Sequence, residues 1–132
     1  SEMTKYALEH MSMKTSLQQA IDNNEFLIYY QPQINTLTNT LVGVEALVRW
    51  QHPEKGLLLP DEFIPMAEET GLIMKIDQWV MKTAMKQINK WYKAGLNPGL
   101  LAVNLSVQQL ECHNFVQKIK ELIKKYHFKA VA

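Results

Sequence analysis

The chain has 132 residues, 47% hydrophobic and 20% charged, a balance that fits one globular domain and excludes a disordered chain. Lys and Arg number 14 against 13 Asp and Glu, and the net charge of +1 argues against a broad basic surface for DNA, RNA or anionic membranes. The single cysteine, Cys112, cannot form an internal disulfide; with no run near the roughly 20 apolar residues of a membrane helix and no apolar signal core in residues 1–10, a reducing, cytoplasmic setting is expected.

Residues 4–24 are polar and rich in helix formers, with Leu8, Met11, Leu17, Ala20 and Ile21 at loosely helical spacing and Asp22-Asn23-Asn24 as the stop. Residues 1–24 therefore read as a lead-in or linker helix before a domain over 25–132. Such a helix either connects to an upstream domain or packs on its own domain. Residues 26–31 form a strand by their aromatic and β-branched content, ended by Pro32, and residues 36–40 are turn material. A second strand follows over 41–50. The connection is too short for a crossover helix, so the two strands pair as an antiparallel hairpin.

Residues 52–59, with Pro53 and Gly56, read as a loop. Pro60-Asp61-Glu62 then opens a short helix to Glu69, its acids placed where the helix dipole favours them. A longer helix over 73–93 sets Ile73, Ile76, Val80, Ala84, Ile88 and Trp91 on one face, with Gly95 as its C-terminal cap. Asn97-Pro98-Gly99 turns into a third strand over 100–106. The last helix, over 107–126, points Val116, Ile119 and Ile123 inward and Lys118, Lys120, Lys124 and Lys125 outward; the lysines read as a solvated face rather than a phosphate patch. This order predicts an α/β fold in which a right-handed helical crossover joins parallel strands. Residues 128–132 stand where a further strand is expected to begin.

Side chains alternate across a strand, so each strand divides into two faces. Val42, Val44, Ala46, Val48 and Trp50 share one face of the second strand, and Glu45, Leu47 and Arg49 the other. Leu101, Val103 and Leu105 oppose Ala102, Asn104 and Ser106 in the third strand, and Phe26, Ile28 and Tyr30 oppose Leu27, Tyr29 and Gln31 in the first. An antiparallel sheet with one wet face produces similar alternation. Its exposed face, however, usually carries Lys, Thr and Glu, and its connections are hairpins. Here the polar residues are Gln31, Glu45, Arg49 and Asn104, and the later connection is helical. With the apolar faces under the helices, these four converge at strand C-terminal ends, where ligand sites of parallel α/β folds form. A carboxylate and an amide oxygen are hard ligands suited to Mg²⁺ or Mn²⁺, and the planar fork of Arg49 suits a phosphate oxygen. Two ligands do not complete a metal site.

Other candidate groups have plainer explanations. Cys112 and His113 are helix neighbours about 100° apart and do not converge as a nucleophile pair. Asp61-Glu62 and Glu68-Glu69 fit helix-terminal and surface acids better than paired glycosidase carboxylates. The methionines read as packing, and His52 as an incidental loop histidine near the pocket mouth.

Tyr30-Gln31-Pro32, Val44-Glu45-Ala46-Leu47-Val48-Arg49-Trp50, Pro60-Asp61-Glu62-Phe63-Ile64-Pro65, Ala67-Glu68-Glu69-Thr70-Gly71-Leu72-Ile73 and Ala102-Val103-Asn104-Leu105-Ser106 stand in an order and spacing that resembles the EAL domain family of bacterial cyclic di-GMP phosphodiesterases, over about residues 17–129. The resemblance implies a partial (βα)8 TIM-type barrel, its first strand antiparallel, reduced to about three strands and their helices. It implies that Glu45 and Asn104 are ligands of Mg²⁺ or Mn²⁺. It also implies that Gln31 contacts the dinucleotide, Arg49 binds its phosphate and Leu47 lies beside it. The implied reaction is metal-dependent hydrolysis of cyclic di-GMP to linear pGpG.

The family's remaining metal ligands and water-activating groups, an E-x-x-E pair, an Asp-Asp pair, a lysine and a later glutamate, have no counterpart in these residues. The chain alone is therefore expected to be inactive, as the N-terminal half of a phosphodiesterase domain. The alternative is a degenerate EAL module that binds nucleotide or a partner protein without catalysis. Open strand edges and apolar faces of a half-barrel are expected to favour a homo-oligomer.

Overall fold

A hairpin whose second strand is the centre of the sheet organises the computed structural model, which describes residues 2–126. Strand β1 (Phe26–Asn35) pairs antiparallel with β2 (Thr40–His52), in a register that sets Phe26 opposite Trp50 and Gln31 opposite Glu45. The turn is built by its own polar side chains. Asn35 Oδ1 accepts the amides of Leu37 at 2.9 Å and Thr38 at 3.3 Å, and Asn39 takes a left-handed φ of 54°. β1 continues past Pro32, where the sequence suggested an end. It has β2 as its one neighbour in the sheet among the described residues, and an edge strand tolerates a residue without an N–H.

Two further strands use the other edge of β2. β3 (Gly56–Leu58) folds back antiparallel on residues 50–52. The expected loop is thus a second tight hairpin. Its turn is held by His52 Nδ1, which accepts the amides of Glu54 at 3.0 Å and Lys55 at 3.1 Å, and Gly56 supplies a φ of +78°. β4 (Leu100–Val103) runs parallel to β2, pairing Gly43 with Leu100 and Ala46 with Val103. The sheet therefore has four strands rather than about three. The parallel pair is the one reached through helices, as the element order requires.

Helix α1 (Glu2–Asp22) buries Leu17 and Ala20 but leaves Met3, Tyr6, Leu8 and Met11 exposed. Helices α2 (Pro60–Thr70) and α3 (Ile73–Lys93) cover the apolar face of the sheet. α2 begins at Pro60 with Glu62 Oε2 accepting the Leu59 amide at 2.8 Å, and it ends at Gly71 with φ 79°. α3 buries Ile73, Ile76, Val80, Ala84 and Ile88 as its spacing predicts. Trp91 is half-buried, edge-on to Tyr30 with centroids 5.1 Å apart. Phe26, Trp50 and Phe63 form the aromatic centre, with pairwise centroid distances of 5.7 to 5.8 Å, and Trp50 Nε1 donates to Glu25 Oε1 at 3.0 Å.

The final helix is two helices, α4 (Val107–Leu110) and α5 (Phe115–Lys125). Cys112 and Asn114 interrupt it: the Cys112 amide bonds to Gln109 O, and Cys112 Sγ lies 2.9 Å from Asn114 Oδ1, a local side-chain bond that competes with helix. Val116, expected inward, is 65% exposed, and α5 buries no residue, because no other described element closes over that face. The expected strand near 128–132 lies outside the described residues.

Gly43 and Leu100 are directly opposed, and a Cβ on Gly43 would lie 2.3 Å from the Leu100 carbonyl oxygen. Gly43→Ala forces β2 and β4 apart against backbone that cannot rotate away. The expected loss is about 1–3 kcal/mol in urea unfolding. An unchanged midpoint would contradict this close approach.

Candidate functional site

Register decides which side chains share the open face of the hairpin. Gln31 stands opposite Glu45, Tyr29 opposite Leu47, and Leu27 opposite Arg49. These six alternate with Ile28, Tyr30, Ala46, Val48 and Trp50, which turn toward the helices. β4 adds to the same side: Ala102 pairs with Glu45, and Asn104 lies two residues further on. Asn104 Nδ2 donates to Glu45 Oε2 at 3.0 Å across 59 residues of sequence. A half-turn of the Asn104 amide replaces its NH₂ with Oδ1, so both residues can direct an oxygen at one cation. That donor set fits a hard divalent ion such as Mg²⁺ or Mn²⁺. It is incomplete, since no group of three His, Cys, Asp or Glu among the described residues could hold a metal.

Arg49 is half-buried and forms no ion pair among the described residues. Its guanidinium donates to Val48 O at 2.9 Å and lies 5.5 Å from the Tyr29 ring centroid. The ring holds the fork by cation–π attraction and leaves its charge without an acidic partner. Gln31 is exposed and Leu47 half-buried; Leu47, Asp77, Asn104 and Ser106 line a cavity of about 420 Å³ between the sheet and helices α2 and α3.

Behind Asn104 stands a buried polar contact. Asp77, 4% exposed on α3, accepts Ser106 Oγ at 2.6 Å and the Ser106 amide at 3.1 Å through one oxygen. The Ser106 hydroxyl in turn caps α4, accepting the Gln109 amide at 3.2 Å. Gln108 Nε2 donates to Glu68 O at 2.8 Å, so the turn after β4 is tied to α2 as well as α3. Burial pushes the Asp77 carboxyl above its ordinary range; the two Ser106 bonds oppose this, and the nearby Glu68 charge adds to it.

The structure brings Gln31, Glu45, Leu47, Arg49 and Asn104 to one face. Sequence reasoning missed Tyr29 and Asp77 as parts of this assembly. Tyr29 carried a usable signal in its shared strand parity with Gln31. Asp77 carried a stronger one, a charge four places after Ile73 and three before Val80 within an otherwise apolar helix stripe.

Comparison with known proteins bears on this geometry. A profile of the EAL domain matches residues 14–131. The chain is 38% identical over 127 residues to the cyclic di-GMP phosphodiesterase PdeR of Escherichia coli K12, covering 96% of this chain and 19% of that protein. It is 36% identical over 123 residues to the bifunctional diguanylate cyclase/cyclic di-GMP phosphodiesterase MucR of Pseudomonas aeruginosa, covering 93% of this chain and 18% of MucR. The chain thus spans under a fifth of the length of these two relatives. Among solved structures it superimposes on the PaMucR phosphodiesterase in complex with c-di-GMP, with a TM-score of 0.84 and 34% identity over 89% of this chain and 47% of that one.

The raised Asp77 carboxyl fixes a sign for pH dependence. The folded chain holds this proton to higher pH than the unfolded chain, so this group's contribution to stability falls as pH rises from the ordinary value of 3.8 into the raised range. Asp77→Asn does not titrate. Wild-type stability minus that of Asp77→Asn should therefore fall with rising pH in urea midpoints taken from about pH 4 to about pH 7. A difference that grows across that window would contradict the burial account.

Proposed function

The chain belongs to the EAL domain family, and from that membership we propose that it forms the N-terminal, ligand-gripping half of a cyclic di-GMP phosphodiesterase. The fold is the corresponding part of an EAL domain, a TIM-barrel type, of which this chain spans about half. In the proposed reading Glu45 and Asn104 hold Mg²⁺ or Mn²⁺, Arg49 grips a phosphate of cyclic di-GMP, Gln31 contacts the dinucleotide, and Leu47 lies against it. The single observation that carries the reading is the 3.0 Å contact between Glu45 and Asn104, on a face where Arg49 forms no ion pair among the described residues.

Each side chain then has a physical task. Glu45 supplies negative charge and Asn104 a neutral oxygen, a pairing that suits a divalent cation without over-neutralising it. Arg49 offers fixed N–H donors to a phosphodiester oxygen, and its contact with Tyr29 limits the rotamer freedom lost on binding. Leu47 excludes water beside the ligand. A divalent ion bound there supplies Lewis-acid polarisation of the phosphate and activation of water. Hydrolysis opens one P–O ester bond of the ring to yield linear pGpG. Further metal ligands and the base are proposed to come from the rest of the barrel, so the chain alone does not turn over. The setting proposed is cytoplasmic; no helix among the described residues is long and apolar enough to cross a membrane.

The test uses the full-length protein with cyclic di-GMP and Mn²⁺. Glu45→Gln is expected to lower kcat at least about a hundredfold, and Arg49→Ala to raise KM about tenfold with a smaller effect on kcat. Binding of cyclic di-GMP without hydrolysis under Mg²⁺ or Mn²⁺ would replace the phosphodiesterase reading with that of a non-catalytic nucleotide sensor.

The edge of β1 left unpaired among the described residues and the exposed Tyr29, Ile34, Leu41 and Val42 further support self-association of the isolated chain as a homo-oligomer. Light scattering on a size-exclusion column is expected to give a mass of at least two chains. A strictly monomeric mass at high concentration would exclude this.

A further inference from the structure

Nothing in the residues assigned to ligand contact explains why Asn104 stays where Glu45 can meet it. β4 ends at Val103, and Asn104, Leu105 and Ser106 follow it with no sheet pairing. Asn104 is exposed, so packing does not set its backbone. Restraint must come from both ends of this short segment. On one side it is the β2–β4 ladder, which finishes at the Ala46–Val103 pair. On the other side it is Ser106, whose amide and hydroxyl both bond to Asp77 Oδ2. Asp77 is itself buried in the second turn of α3, flanked by the buried Ile76 and Val80.

We propose that Asp77 is the positioning residue of the cation site: through Ser106 it anchors the strand-to-helix turn and so holds the Asn104 amide against Glu45. Retaining a charged group at a buried apolar-stripe position is costly, and its bonds to the turn offset that cost. One carboxylate oxygen gathers two donors from Ser106, and the same hydroxyl closes the first turn of α4. The path from α3 to the site thus runs from the buried Asp77 carboxylate to Ser106 and along the backbone of Leu105 to Asn104. Groups that orient a metal ligand without touching the metal commonly change affinity by tenfold or more, roughly 10–100-fold. This inference rests on the reading of Glu45 and Asn104 as cation ligands.

The experiment measures Mn²⁺ binding to the full-length protein by isothermal titration calorimetry, beside its thermal midpoint and steady-state kinetics. Asp77→Ala is expected to raise the Mn²⁺ dissociation constant about tenfold while the KM for cyclic di-GMP at saturating Mn²⁺ changes less than about twofold. Asp77→Asn keeps an acceptor oxygen for Ser106 and is expected to recover most of that affinity. Ser106→Ala should weaken Mn²⁺ by a smaller factor than Asp77→Ala, and it carries the test if Asp77→Ala does not fold. Ile88→Ala, on the same helix away from the site, lowers the thermal midpoint without moving Mn²⁺ affinity. If Glu45→Gln weakens Mn²⁺ but neither Asp77→Ala nor Ser106→Ala does, the positioning role is overturned and the cation reading stands. If Glu45→Gln leaves Mn²⁺ binding unchanged, the cation reading itself fails, and the positioning role with it.

Discussion

The register of β4 against β2 is the constraint on which the site depends. Glu45 and Asn104 are 59 residues apart, and the parallel ladder from Gly43–Leu100 to Ala46–Val103 brings their strands together so that they meet at 3.0 Å. A slip of one residue would turn Asn104 to the helix side and place Leu105 at the open face, because strand side chains alternate with period two. Two glycines hold the close approach of the ladder's first rung. Gly43 leaves room for the Leu100 carbonyl, and Gly99, at φ +78°, turns the chain into β4 where a Cβ would lie 2.2 Å from Val42 O. Neither position accepts a side chain without separating the strands, so the geometry of an exposed polar pair is set by backbone packing several residues away.

The two faces of the sheet do different physical work. Toward the helices, Phe26, Trp50 and Phe63 interlock with Leu17, Ala67, Ile76 and Val80, and this apolar burial supplies most of the favourable free energy of folding. Two polar groups against it are matched, since Trp50 donates to Glu25 and Asp77 accepts from Ser106, whereas the buried Gln109 side-chain amide finds no hydrogen-bond partner among the described residues. Toward the open face, Gln31, Glu45 and Asn104 have little packing to restrain them, so their placement is inherited from strands pinned on the other side. The residues proposed to bind ligand thus lie on the face that contributes least to stability, on a scaffold held by the face that contributes most.

How much of this was legible in the sequence depended on whether the signal was local. The hairpin was readable because a turn of a few residues between two strands admits one pairing mode. The α3 core face was readable because Ile73, Ile76, Val80, Ala84 and Ile88 repeat at helical spacing. β3 was not, since three residues that begin at Gly56 shortly after Pro53 look like loop until they find β2. The break between α4 and α5 depends on Cys112 and Asn114 preferring a local side-chain contact to one more helical turn, a contest that periodicity does not register. The polar face was legible by parity and by the EAL-type motifs together. The support beneath it was not, because Asp77 and Ser106 are 29 residues apart and meet through tertiary packing alone.

Charge separation along β2 then becomes a consequence of strand geometry. Glu45 and Arg49 share a face four residues apart, roughly 13 Å at about 3.3 Å per residue. At that distance, beyond the Debye length of about 8 Å in physiological salt, their attraction is weakened but not abolished, since both groups are half-buried. A spacing of two residues would have invited them to pair and neutralise the site before any ligand arrived. Instead Arg49 is held by a neutral partner, the Tyr29 ring, and by Val48 O, while Glu45 is met by the neutral amide of Asn104. Each charge is oriented without being cancelled, and so the same face presents a cation-seeking carboxylate and an anion-seeking guanidinium side by side. A ligand that couples a divalent ion to a phosphodiester is the kind of molecule for which both must stay free.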